Sequence, residues 1–249
     1  MEFIRIHSGS FVLGRFQPPY PKPPGDAGNA VAKLGSERSY NPEQYKLAEK
    51  LAKQDERPGF TVTIKKPFYI GKFEVTQAQW KKVMGSNPSV FQGDKVSHDA
   101  DYHPVENVTW EDVQQFINKL NRIEKGRTYR LPTEFEWEYA ARAGATSDIP
   151  WSQIRQTAQL GTRTTNRVGQ KRPNAWGLYD MLGNVWEWVQ DYYNEKIFAD
   201  SIPAKTGKVH VLKGASFVGD VKNATYMTHA AGPGNGWDVG FRIVMEEKE

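Results

Sequence analysis

Cysteine is absent from this sequence of 249 residues. Its absence excludes disulfide scaffolds, thiolate zinc sites, iron–sulfur clusters and every mechanism that uses a cysteine nucleophile. Long apolar runs are missing as well: no stretch approaches the roughly eighteen residues of a membrane span, and the mean hydropathy is -0.68. The first residues, Met1-Glu2-Phe3, lack the charged and apolar regions of a secretion signal. We therefore expect no transmembrane segment.

A strong charge of one sign is also lacking, because 33 basic residues accompany 29 acidic ones for a net charge of +4. Lys and Arg are interspersed with acidic residues, so nucleic acid is not an expected partner. The length is sufficient for one sizeable hydrophobic core. We assign residues 1–249 to a single domain.

The N-terminal quarter combines strands with a proline-rich segment. Residues 3–13 place apolar side chains around Ser8-Gly9-Ser10, which predicts a β-hairpin. Residues 16–58 carry a cluster of prolines and a charged run, with one short helix expected at 45–54. Because an isolated hairpin is not stable in water, we interpret 16–58 as an insertion into the domain. Strand patterns resume around Val62 and Phe68.

Three helices are predicted from capping patterns at their N-termini. They are expected to begin at Thr76, Thr109 and Thr133. Gly85 is expected to end the first and Gly144 the third, since glycine readily adopts the left-handed conformation that ends helices.

The C-terminal half has little regular periodicity but many Trp and Tyr residues, which can fill a core built from irregular loops. Short strands are predicted at 185–189, 209–213 and 240–245. The predicted fold class is α+β, with two or three helices beside a small antiparallel sheet with long irregular loops.

Three segments in the same order resemble one enzyme family. They are Arg130-Leu131-Pro132-Thr133-Glu134-Phe135-Glu136-Trp137-Glu138-Tyr139-Ala140-Ala141-Arg142, Asn174-Ala175-Trp176-Gly177-Leu178-Tyr179-Asp180-Met181-Leu182-Gly183-Asn184-Val185-Trp186-Glu187-Trp188 and Gly240-Phe241-Arg242. With weaker matches at 74–76 and 104–110, they resemble the formylglycine-generating (sulfatase-modifying factor) enzyme family. The resemblance implies a C-type-lectin-like fold whose ligand site is built from the C-terminal part of the chain.

The chemistry of that family is not expected here. Its oxidases bind copper with cysteines, which this chain lacks, and related iron-dependent sulfoxide synthases take histidine ligands largely from an additional domain. The histidines are dispersed, and each is expected in an ordinary surface or loop position: His7, His98, His103, His210 and His229. We therefore predict a protein that is not an enzyme and has no copper, iron or organic cofactor. The alternative is a formylglycine-generating-type oxidoreductase or accessory metalloenzyme that uses non-cysteine ligands.

Three carboxylates on the third predicted helix are candidates for general acid–base catalysis. Glu136 is assigned to the capping box, because it lies three residues after Thr133. Glu134 and Glu138 are assigned to the solvated helix surface rather than to catalysis.

Departures from the family pattern concentrate in residues 209–242. Lys213-Gly214-Ala215-Ser216-Phe217 replaces an Arg-Gly-Gly-Ser-Trp type motif, and residues 225–229 replace an Arg-x-Ala-x-Arg type motif. A matching frame with a divergent C-terminal region resembles the variable proteins of diversity-generating retroelements. This resemblance implies a variable ligand-binding surface formed by Phe217, Val218, Gly219, Asp220, Thr225, Tyr226, His229, Ala230, Asn235, Trp237 and Asp238. Ordinary divergence of a non-catalytic family member is the alternative.

The composition of this region resembles that of an antibody combining site, with aromatic anchors among hydrogen-bonding groups. Asp238 and His229 are expected to be the most exposed polar members, whereas core filling is the alternative for Phe217 and Trp237. The predicted protein is a receptor that binds a protein or other macromolecule at a cell surface. It would be exported by a signal upstream of Met1. A carbohydrate lectin is a weaker alternative, because the Glu-Pro-Asn type triplet is absent.

The family resemblance also implies a structural calcium site. Its ligands would be the side chains of Asp180 and Glu187 and the carbonyls of Gly183 and Val185, since calcium prefers oxygen ligands. In the alternative, the two carboxylates bind backbone amides of the long loop.

Overall fold

The computed structural model describes residues 1–13, 60–96, 99–146, 149, 153–194, 196–197, 202–219, 224–232 and 235–247. The 16–58 insertion with its predicted helix, His98 and Asp220 lie outside the described residues.

The described residues contain short strands in three sheets. The strands are β1 (Phe3–Ile6), β2 (Gly9–Leu13), β3 (Phe60–Ile64), β4 (Phe68–Gly71), β5 (Arg127–Arg130), β6 (Trp186–Tyr192), β7 (His210–Lys213), β8 (His229–Gly232), β9 (Val239–Gly240) and β10 (Val244–Glu247). The first sheet has the order β1-β4-β10-β5, the second pairs β2 with β3, and the third has the order β8-β7-β6-β9. All pairs are antiparallel except β6 with β9.

The described helices lie beside these sheets. They are α1 (Gln77–Met84), α2 (Trp110–Ile123), α3 (Glu134–Arg142) and the short α4 (Ile154–Thr157), with 3₁₀ turns at Gly93–Lys95 and Ala100–Tyr102. The α+β class is therefore confirmed. No helix in the described part of the chain combines the length and apolarity needed to cross a bilayer.

The three predicted helix starts are confirmed, because Thr76, Thr109 and Thr133 each form a reciprocal capping box. Helix α1 ends at Gly85 in the left-handed conformation, as predicted. Helix α3 ends one residue before Gly144, since its left-handed C-cap is the alanine at 143, with φ 46°.

The predicted hairpin at 3–13 is wrong. Strand β1 pairs with β4 in the first sheet, whereas β2 pairs with β3 in the second. The chain thus passes from one sheet to the next at 7–8, and both partners lie far along the sequence.

The predicted strand at 240–245 is likewise divided between two sheets. Gly240 ends β9, where an added Cβ would collide with the carbonyl oxygen of Val105. Between the strands, the carbonyl of Phe241 accepts the amide of Val75, and that of Ile243 accepts the amide of Gly71. These bonds redirect the chain before β10 enters the first sheet.

Two clusters of apolar side chains form the core. One contains Trp137 of α3 together with residues of the first two sheets, and the other contains Phe116 of α2 with Trp188 and Phe241. All four side chains are almost completely buried. The core thereby fixes the ends of β6, β7 and β9, from which the C-terminal loops extend.

Candidate ligand-binding surface

Two C-terminal loops meet above the third sheet. The Ser216 hydroxyl donates to Oδ2 of Asp238 over 2.7 Å, and the ring centroids of Phe217 and Trp237 are 5.4 Å apart. The Phe217 amide donates to the Asn184 carbonyl, and its own carbonyl accepts the amide of Thr162. The side-chain contacts therefore hold the two loops together, and the backbone bonds of Phe217 anchor the first loop to Asn184 and Thr162.

The sharp turn after β7 starts the first of these loops. Gly214 and Ala215 both have positive φ, 91° and 65°. A Cβ at Gly214 would lie 3.0 Å from both the Met181 carbonyl oxygen and the Trp137 ring. Glycine at 214 thus permits the close approach that places Ser216 and Phe217 under the second loop.

The exposed part of this region is built around Trp237. Trp237 is 47% exposed and Val218 is 48% exposed. Phe91 packs against Trp237, with its ring centroid 6.0 Å from that of Trp237 and 5.2 Å from that of Phe217. Asn235, also exposed, donates from Nδ2 to Oδ1 of Asn107. We refer to Phe91, Val218, Asn235, Trp237 and Asp238 as the loop surface.

Not all residues of the predicted binding surface are exposed. Phe217, Thr225 and Tyr226 are buried, with 0%, 1% and 4% exposure, so the expectation that they face a ligand is wrong. Phe217 fills the space beneath Phe91 and Trp237, and Tyr226 packs against the guanidinium of Arg142.

The remaining predicted residues have intermediate exposure. They are Gly219, His229, Ala230 and Asp238. Asp238 and His229 are less exposed than expected, because each carries a protein partner: Ser216 for Asp238 and Glu134 for His229.

A buried ionic network lies under β7 and β8. The ammonium of Lys213 is 3.1 Å from Oε2 of Glu138 and 3.9 Å from Oε1 of Glu134. Glu138 also accepts from Nε of Arg142 over 2.9 Å, and Nδ1 of His229 is 3.1 Å from Oε1 of Glu134. Glu134 and Glu138 are almost fully buried, so their expected placement on a solvated helix surface is wrong.

The network controls the charge of Glu134. Burial raises the pKa of this carboxyl, but the hydrogen bond from His229 and the charge of Lys213 outweigh that effect and lower the pKa overall. Glu136, in contrast, performs the capping role predicted for it and also pairs with Arg130. Helix α3 therefore carries two buried acids and one capping acid.

A second buried charged group occupies the predicted calcium position. Both oxygens of Glu187 receive bonds from Arg242, at 2.6 and 2.7 Å, and one also accepts the indole N–H of Trp137. Oδ2 of Asp180 accepts the backbone amide of Gly169 over 2.6 Å. Burial is the main reason why the pKa of Asp180 rises to about 6.

These donors do not suit a calcium ion at Glu187, because a guanidinium this close repels a divalent cation. Within the described ranges, no three acidic or histidine side chains are grouped so as to hold a metal. The arrangement of Asp180 agrees with the alternative of amide binding, whereas Glu187 binds side chains instead. These contacts do not test the calcium site predicted at Asp180, Gly183, Val185 and Glu187, but the bonds from Arg242 favour an ion pair at Glu187 in its place.

Glu106, which the sequence analysis did not single out, lies directly under the loop surface. It is fully buried, and its Oε1 accepts the Phe91 amide over 2.9 Å. Its Oε2 has no hydrogen-bond partner among the described residues. Burial raises its pKa to about 7. The weak family match at 104–110 includes this position but does not indicate its burial, since its partners at 89–91 belong to an irregular loop.

The expectation that the histidines occupy ordinary surface or loop positions is wrong for His210 and His229, which lie in β7 and β8, whereas His103 does lie in a loop. His103 is buried beside the hydroxyl of Thr165, and His210 stacks on Trp110 with centroids 3.8 Å apart. Burial lowers the pKa of His210. With His229 in the ionic network, these rings serve internal packing, whereas His7 is exposed as expected.

The fold and the loops together define a C-type-lectin-like protein in which irregular loops on an α+β frame form the exposed surface. Residues 3–247 match the family described as "Sulfatase-modifying factor enzyme 1-like domain", and the chain belongs to this family.

Proteins with different names are similar to this chain in sequence. "Chaperone protein LppX" of Paenibacillus barcinonensis is 31% identical over 238 residues, covering 72% of this chain and 80% of the relative. The formylglycine-generating enzyme of Thermomonospora curvata is 31% identical over 171 residues, covering 58% of this chain and 52% of the enzyme. This chain therefore spans only about half the length of that enzyme.

Among solved structures, Treponema denticola variable protein 1 is similar with a TM-score of 0.67 and 30% identity. The similarity covers 75% of this chain and 86% of the variable protein. The suspected likeness to both formylglycine-generating enzymes and variable proteins is thus confirmed.

Proposed function

We propose that this chain is a non-enzymatic ligand-binding protein whose C-terminal loops display a variable surface, as in the variable proteins of diversity-generating retroelements. Its partner is a protein or other macromolecule at a cell surface, which requires export of the chain. The likeness to Treponema denticola variable protein 1 supports this role. The lack of cysteine supports a non-catalytic protein, since copper binding by the resembled oxidases depends on it.

The observation that carries the proposal is the position of Trp237. Exposing 47% of a large aromatic ring to water is unfavourable compared with covering it by another surface. Such rings often anchor protein interfaces. Trp237 is held from below by Phe91 and Phe217, so little rotamer freedom is lost on binding. Val218 adds a second exposed apolar group.

In this proposal the buried residues of the predicted binding surface have a structural role. Phe217, Thr225 and Tyr226 support the loops, while Val218, Asn235, Trp237 and Asp238 face the ligand. A surface of this kind tolerates sequence change at the exposed positions because those side chains contribute little to the core.

Two display libraries test this division. One randomises Val218, Asn235, Trp237 and Asp238, and the matched control randomises Lys213, Phe217, Thr225 and Tyr226. After challenge with protease, most members of the first library should remain folded, whereas few members of the control should. Equal survival of the two libraries would contradict a variable surface on a fixed frame.

Two further measurements separate the proposed role from the enzymatic alternative. A variable protein requires a near-copy of the coding DNA for residues 209–242 beside the gene, differing at adenines, together with a reverse transcriptase gene. Absence of that copy from the source genome would refute variability. Stoichiometric copper or iron binding, with oxygen consumption in the presence of a thiol peptide, would instead establish the oxidoreductase.

A further inference from the structure

A cavity of about 530 Å³ lies beside the C-terminal end of α3. Much of its wall is apolar and is formed by Leu178, Met181, Leu182 and Tyr226, together with several alanines. These four side chains are buried, so the wall is part of the packed interior. The volume and the apolar lining are typical of sites that bind small molecules.

Arg142 provides a buried positive charge on this wall. It is 3% exposed and lies under the ring of Tyr226, with 5.4 Å from the guanidinium carbon to the ring centroid. Its Nε donates to Oε1 of Glu138, and Nη2 is 2.8 Å from the same oxygen. By hydrogen-bond geometry Nη2 has no partner among the described residues, although it lies within ion-pair distance of Glu138.

Arg172 provides a second, exposed positive charge on the same wall. Its Nη1 donates to Oε1 of Gln156 over 2.8 Å, which holds the guanidinium near α4. Asp180 also contributes to the wall, but its Oδ2 is turned to the Gly169 amide.

The surrounding segment has no negative charge of its own. Residues 153–179 contain no Asp or Glu, and their basic residues are Arg155, Arg163, Arg167, Lys171 and Arg172. The expectation that basic residues are interspersed with acids along the chain is therefore wrong for this segment. Of these five residues only Arg172 lines the cavity, and the absence of acidic residues from the segment leaves its positive charge without a neighbouring acid in sequence.

We propose that this cavity binds an amphipathic anion, a molecule with an apolar body and one carboxylate or phosphate head group. The body lies against Leu178, Met181 and Leu182. The head group accepts hydrogen bonds from Arg172 at the rim and from Nη2 of Arg142 inside, since a guanidinium forms charge-assisted hydrogen bonds with either oxyanion. This site is separate from the loop surface and does not depend on the function proposed for it.

Titration calorimetry with the full chain tests the proposal, using dodecanoate, dodecyl phosphate and dodecanol as probes. We expect one equivalent of at least one anion to bind, and dodecanol to bind about tenfold more weakly because it forms no charge-assisted hydrogen bond. The tighter of the two anions identifies the head group. Equal binding of dodecanol would refute the role of the two arginines.

Three variants localise the site. Arg172→Gln should weaken anion binding about tenfold, whereas Arg163→Gln, which removes an equally exposed charge away from the cavity wall, should leave it unchanged. Ala175→Trp, at an exposed position on the wall, should block entry without unfolding the protein, as its thermal midpoint would verify. Equal losses in the two arginine variants, or full binding by Ala175→Trp, would overturn the proposal.

Discussion

The buried lysine between two acids of α3 allows a sharp test of the ionic network. The Lys213 side chain is fully buried, and its ammonium lies between Glu138 and Glu134. Lys213→Met keeps the approximate volume but removes the charge, so the loss of packing is small. Removing one partner from a buried ion pair leaves an uncompensated charge and costs about 3–5 kcal/mol. We expect a value near the lower end, about 3 kcal/mol, because Arg142 and His229 remain as partners.

Urea unfolding followed by tryptophan fluorescence measures this loss. With a slope of about 3 kcal/mol per molar urea, the midpoint should fall by roughly 1 M at pH 7. Lys208→Met is the matched control, since Lys208 is exposed, and its free energy of unfolding should change by less than about 0.5 kcal/mol.

The dependence on pH provides a second criterion. In the native protein the pKa of Glu134 is lowered from 4.5, so its contribution to stability is present above pH 4.5 and is lost as the pH falls through the folded-state pKa. Without the charge of Lys213 the Glu134 carboxyl takes up a proton more readily, which removes an unpaired charge. The destabilisation by Lys213→Met should therefore be smaller at pH 5 than at pH 7. A loss below about 1 kcal/mol at both pH values would refute the reasoning.

Three other predictions concern individual residues. Trp188→Ala should cost about 3–5 kcal/mol of unfolding free energy, because the ring is 1% exposed. Trp237→Ala should cost less than about 1 kcal/mol. Similar losses for both variants in urea unfolding would contradict the assignment of Trp188 to the core and Trp237 to the loop surface. Burial raises the pKa of Glu106 to about 7 from 4.5, so its contribution to stability declines as the pH rises between these values. Glu106→Gln should therefore gain stability relative to the native protein between pH 5 and pH 8. A constant difference in unfolding free energy across that range would argue against a raised pKa. Calcium chloride added to chelator-treated protein should leave the thermal midpoint unchanged, since Arg242 occupies both oxygens of Glu187. A rise in the thermal midpoint that disappears in Glu187→Gln would establish the calcium site instead.

The helices could be predicted from the sequence because their signals are local. Thr109 and Asp112, only three residues apart, are sufficient to mark the start of α2. The pairing of strands could not be predicted in the same way, because β1 pairs with β4 across more than 60 residues. Residues 3–13 therefore looked like a hairpin although they enter two sheets.

The frame of the candidate site was predictable from motifs, but the exposure of its residues was not. Phe217 and Trp237 are both large aromatic residues in irregular loops, yet the first is covered by Phe91 and Trp237 while the second remains 47% exposed. The burial of Lys213 depends on acids about 75 residues earlier in the chain. Such long-range neighbours leave no mark in the local pattern.

The strand order of the first sheet has a consequence for how the protein is made. Strand β10, at Val244–Glu247, lies between β4 and β5, so β5 has no neighbour in that sheet until residues 244–247 have left the ribosome. Strands β1 and β4 can pair earlier, but β5 must wait for β10, and pairings at this sequence separation form slowly. The loops that precede β10 are therefore synthesised before the sheet can close. A loop sequence is compatible with the fold only if it still allows β10 to pair with β4 and β5.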